Sequence, residues 1–193
     1  MQADIQQALL PRAGYLVDTH AMCWVRTLAS PVTEVWQTVS TLAGLQKWWL
    51  SAGDVTAFEL EPGGVFAHHW SNAIESFKEL EYIDFRGSEA AYTGTGGMRF
   101  ELVCLDERTT RFAFLDTWGP SARLPAVTPA QDAQPGGPGT PWSGVAAGWH
   151  AMLDRLEIVL GGSPPIFTYE ALCDFYGRHL TDLYRWREMV QKQ

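Results

Sequence analysis

With 193 residues, 46% of them hydrophobic and 19% charged, the chain fits one globular domain with terminal extensions, and this composition excludes disorder. A formal net charge of −8 with no Lys/Arg cluster excludes nucleic acid and anionic membrane as expected partners. The apolar runs are too short to span a bilayer, the first residues lack a secretory pattern, and Cys23, Cys104 and Cys173 lack metal-ligand spacing, so a cytoplasmic protein with no metal and no cofactor is expected.

Residues 1–14 read as an amino-terminal arm. Tyr15 to Leu28 is rich in β-favouring side chains and predicts an opening strand. Ser30-Pro31 is a helix start, with Ser as cap and Pro at the first helical position. Val32, Val35, Trp36 and Val39 follow at helical spacing, and a second short helix is expected over Leu42 to Trp48. In Trp48-Trp49 the adjacent rings point in different directions, which predicts one core ring and one partly exposed. Val55 to Leu60 then leads through the turn Glu61-Pro62-Gly63-Gly64 into Val65 to Trp70. Further strands are predicted over Phe77 to Phe85, Ala90 to Thr93, Met98 to Leu105 and Arg111 to Trp118. Short sequential strands of this kind make an antiparallel sheet.

Six prolines fall in 119–141, which rules out regular structure there and marks a loop or lid. A helix is expected from Trp142 to about Leu160, with Val145, Trp149, Met152, Leu156 and Val159 as its apolar stripe, closed by Gly161-Gly162. Residues 163–193 form an extension carrying a last helix from about Tyr169 to Val190. Its apolar side is Leu172, Phe175, Tyr176, Leu180, Leu183 and Trp186.

Four stretches carry a family resemblance: Leu28-Ala29-Ser30-Pro31-Val32-Thr33-Glu34-Val35-Trp36, Leu45-Gln46-Lys47-Trp48-Trp49, Glu61-Pro62-Gly63-Gly64-Val65-Phe66, and Gly148-Trp149 followed by Leu153 and Leu156. In this order they resemble the START-like (SRPBCC) superfamily, in the branch of activators of the heat-shock ATPase. The resemblance covers 15–162. It implies an α+β helix-grip fold, in which an antiparallel sheet curves around a long carboxy-terminal-side helix and leaves an apolar cavity. The long Pro/Gly loop and the extension past 162 depart from the family pattern.

Strand alternation places Phe112, Phe114, Asp116 and Trp118 on one face. Were that face internal, the Asp116 carboxylate would need a partner or gain a raised pKa, and it becomes a candidate general base or ligand anchor. The plainer and favoured alternative is a wet cavity mouth or an arginine partner. His68 and His69 face opposite ways on their strand, so they cannot share a metal. His68 lies with Phe66 and Trp70 and is the weaker catalytic candidate, more plainly a hydrogen-bonded core histidine. Glu79 and Glu81 alternate with Phe77 and Ile83 and read as a solvated face.

The cavity lining expected is Trp36, Trp49, Phe66, His68, Trp70, Phe100, Phe112, Phe114, Asp116, Trp118, Trp149, Met152 and Leu156. Aromatic walls with few polar groups suit a hydrophobic or aromatic small molecule, so a soluble binding or carrier protein is the leading reading. A cyclase-, aromatase- or hydrolase-like enzyme using Asp116 or His68 is one alternative, and a chaperone-associated interaction module is another. A homodimer through the last helix is a further candidate arrangement.

Overall fold

The computed structural model describes residues 7–18, 21–49, 53–68, 71–87, 96–117 and 141–191, with side chains in the final helix as far as Leu180. Trp70, Trp118, His69, the expected strand over 90–93, the Pro/Gly stretch 118–140 and the side chains of Leu183 and Trp186 lie outside this description. The architecture is α+β, and the chain divides into two compact units. One comprises 14–122 and 152–164; the other comprises 1–13, 123–151 and 165–193.

The first unit is built on an eight-stranded sheet in the order β1-β2-β8-β7-β6-β5-β4-β3, antiparallel throughout. Its strands are β1 (Tyr15–Asp18), β2 (Ala21–Leu28), β3 (Ala57–Phe58), β4 (Val65–Ala67), β5 (Ser71–Lys78), β6 (Tyr82–Gly87), β7 (Gly97–Asp106) and β8 (Thr109–Thr117). The single opening strand expected over 15–28 is therefore a paired β1 and β2, because Tyr15 pairs back onto Cys23. The strand expected over 77–85 is likewise two strands joined at Glu79–Glu81. Leu80 there takes a positive φ of 62°, and Lys78 reaches Glu81 across the turn at 2.6 Å. Glu79 and Glu81 consequently sit in a turn and share no strand face.

Strands β7 and β8 are longer than their patterns predict, and only Glu107 and Arg108 form the turn between them. The Asp106 carboxylate accepts the Arg108 N–H at 2.8 Å, and this bond, reinforced by Thr109, holds its pKa below the usual carboxylate value. On β3–β4, Gly63 adopts φ 84°, a conformation that glycine accepts without the steric penalty of a side chain.

Between β2 and β3 lie α1 (Val32–Val39) and α2 (Leu42–Trp48). Ser30 is not the expected cap, since Pro31 holds that position. The Ser30 hydroxyl instead donates to Glu34 Oε2 at 2.5 Å, while its carbonyl accepts from buried Thr110 Oγ1 at 2.8 Å. This second bond ties the strand-to-helix junction to β8. Thr41 caps α2, its hydroxyl oxygen accepting from Gly44 N–H at 3.0 Å.

A long helix, α3 (Pro141–Val159), starts on the last proline of the stretch expected to be loop, a residue whose fixed φ suits a first helical turn. Gly161, at φ 83°, ends it. Residues Met152–Val159 belong to the sheet unit and Pro141–Ala151 to the other. Its buried side is rotated and wider than the predicted stripe: Ala146, Ala147, Trp149, His150, Met152, Leu153, Asp154 and Leu156 are buried, while Val145 is half-buried and Val159 exposed. In the second unit α4 (Tyr169–Gln191) buries Leu172, Phe175, Tyr176 and Leu180, and exposed Arg178 pairs with Asp174 at 2.7 Å.

Candidate functional site

The sheet register generates the inner surface row by row, because directly opposed residues project to the same face. Trp24 lies opposite Phe114, which lies opposite Phe100, which lies opposite Ile83. One row to one side, Arg26, Phe112 and Leu102 are aligned. One row to the other side, Met22, Asp116, Met98, Phe85 and Ile74 are aligned. All of these side chains are buried. The outer face of β8 carries Arg111, Ala113, Leu115 and Thr117, none of them buried.

At the β3–β6 end the rings fill space against one another. Trp49 meets Phe66 edge-on at 5.0 Å, Phe85 meets Phe100 at 4.8 Å, and Phe58 meets Phe66 at 5.5 Å. Such edge-to-face contacts satisfy the ring quadrupoles and add stability beyond the area they bury. Trp48 and Trp49 are both fully buried, which corrects the expectation of one exposed ring. The α2 terminus makes this possible: Trp48 leaves the last helical turn with its Nε1–H donating to the Thr38 carbonyl at 3.2 Å. Trp49 is extended (φ −72°, ψ 126°) and drops onto Phe66.

Among the described residues, three titratable side chains of the sheet strands and the loop after β4 lie at this surface. The Asp116 carboxylate, on a residue only 2% exposed, sits between Met22 and Met98. Arg26, 3% exposed, extends from β2 and pairs through Nη2 with Asp154 Oδ1 of α3 at 3.3 Å, while its Nη1 donates to the Val25 carbonyl at 3.1 Å. His68, half-buried just past β4, has its ring centroid 4.4 Å from that of Phe66, tilted, and 5.2 Å from that of Trp49, edge-on, and its Nε2 lies 2.9 Å from Asn72 Nδ2.

Of the residues singled out from sequence, the register brings together Phe100, Phe112, Phe114 and Asp116, and ring contacts join Trp49, Phe66 and His68 to them through Phe100. Trp36, Met152 and Leu156 are buried in the same unit. Trp149 is buried but belongs to the other unit. Asp116 and His68 are not brought together by the sheet: β7, β6 and β5 intervene, a path of roughly 19 Å at ~4.8 Å per strand. No three His, Cys, Asp or Glu among the described residues cluster as a metal site.

Arg26 and Asp154 escaped the sequence reading. A signal was present for Arg26, which alternates with Trp24 and Leu28 along β2 and so shares their face. In the second unit the missed pair is His150 and Tyr176, both fully buried, with Nδ1 and the phenol oxygen 2.9 Å apart. On the outer face of the sheet, Arg99 bonds both Asp84 oxygens at 2.8 Å and covers the Tyr82 ring at 4.3 Å. Burial lowers the Arg99 pKa, but the Asp84 and Glu101 carboxylates outweigh it and raise the value overall.

No family model and no curated protein sequence matches the chain. Solved structures do. A conserved protein of unknown function from Enterococcus faecalis, EF2215, superposes with a TM-score of 0.66 at 16% identity, over 93% of this chain and 95% of its own. CalU16 from Micromonospora echinospora gives 0.61 at 16% identity, over 84% and 87%. An HSP90 activator from Plasmodium falciparum gives 0.56 at 14% identity, over 74% and 96%. At these identities the likeness is one of fold, and that fold is the START-like helix grip. No helix among the described residues is long and apolar enough to cross a membrane.

Proposed function

We propose that this chain binds a small hydrophobic molecule on the inner face of its sheet, over the row of Trp24, Phe114 and Phe100. The observation that carries the reading is the composition of the neighbouring row, where a buried carboxylate, Asp116, is flanked by Met22 and Met98. A ligand site needs a few fixed polar groups in an apolar wall, and Asp116 supplies one here. Methionine supports the same reading, because its unbranched thioether re-packs around different shapes. The ring contacts at the β3–β6 end make a rigid floor, and the Met-lined end is the adaptable part.

The fold adds weight, since START-like domains often enclose apolar ligands. Asp116 acts here as an anchor, accepting a hydrogen bond from a ligand hydroxyl or N–H. The distance along the sheet between Asp116 and His68 gives no support to a joint acid–base role, and Asn72 already engages His68 Nε2. Titration with an uncharged hydrophobic fluorophore, followed by tryptophan emission, tests the proposal. Saturable quenching is expected, with affinity for hydroxyl-bearing probes reduced about tenfold in Asp116→Leu, the loss of one hydrogen bond to a charged group. Unsaturable quenching that is the same in both proteins refutes it.

A further inference from the structure

We draw no further inference here: the strongest candidate, the apolar surface patch formed by Tyr15 and Val17 on the edge strand β1 with Val25, Ala113 and Leu115 on the outer face of β2 and β8, carries none because nothing in the structure shows what covers it.

Discussion

Removing Asp154 is expected to destabilise the chain far more than removing Arg26, and removing both more mildly than either single change alone implies. At 3.3 Å and an effective dielectric near 20, the attraction of the pair is about 5 kcal/mol, while burying each ion costs several kcal/mol. The two nearly cancel, so the intact pair contributes little net stability. Asp154→Leu leaves a guanidinium that is 2% exposed facing an apolar side chain, at a cost of about 3–5 kcal/mol. For a chain of this length that lowers Tm by roughly 6–20 °C. Arg26→Met takes the guanidinium from a carboxylate that is 10% exposed, against 2% for the arginine, so a smaller cost of about 1–3 kcal/mol is expected. Arg26→Met/Asp154→Leu should fall within about 1 kcal/mol of the wild type, because a hydrophobic pair can replace a buried ion pair at little cost. The coupling then far exceeds the ~0.5 kcal/mol of independent sites. Urea unfolding followed by tryptophan emission supplies all four values. An Asp154→Leu cost below about 1 kcal/mol, or a double variant no more stable than Asp154→Leu, refutes the reasoning.

Trp49→Ala should cost about 3–5 kcal/mol, while Trp49→Phe, which keeps an edge-on contact with Phe66, should cost clearly less; thermal melts rank the two. Tyr176→Phe removes the 2.9 Å bond to buried His150 and should cost about 1–3 kcal/mol, measured by urea midpoint, with Tyr176→Ala worse because the ring is lost as well. Maleimide labelling at pH 7 should modify exposed Cys104 first and buried Cys23 last; equal rates would falsify the burial assigned to Cys23. Burial raises the Cys23 pKa, more than its bond from Tyr15 lowers it, so the folded state favours the thiol. That contribution is fully present below the unfolded thiol pKa of about 8.5 and is lost as pH rises through the folded value. Stability should therefore decline at alkaline pH, and Cys23→Ala should flatten the decline.

The sheet was legible where alternation is clean. Along Thr109–Thr117 every second residue is buried, so the face of Phe112, Phe114 and Asp116 follows from period-two geometry alone. Legibility failed where the chain turns without glycine or proline. Leu80 takes a left-handed conformation that its side chain gives no hint of, which is why the segment around Glu79 and Glu81 resembled a continuous strand. It failed again at Asp154, which is buried by a partner 128 residues away in sequence, and no local pattern records a partner at that distance. The α3 stripe was misplaced for a related reason. A helix buried on more than one side has no single apolar stripe to find, and His150 and Asp154 occupy buried positions that their polarity argues against.

The strand order has a consequence for how the molecule assembles. From β3 to β8 each strand pairs with its immediate predecessor, so this ribbon can zip by local hairpins as the chain emerges. The amino-terminal hairpin cannot join it early, because β2 pairs with β8, whose residues are made about ninety positions later (Met22 opposite Asp116). Loop closure of that length is entropically slow, which predicts that the β2–β8 seam closes last and sets the folding rate. Pulsed hydrogen exchange should then show amides of β5–β7 protected before those of Trp24 and Arg26. The same seam holds both Asp116 and Arg26, so the surface proposed to receive a ligand is the last part of the sheet to come into being.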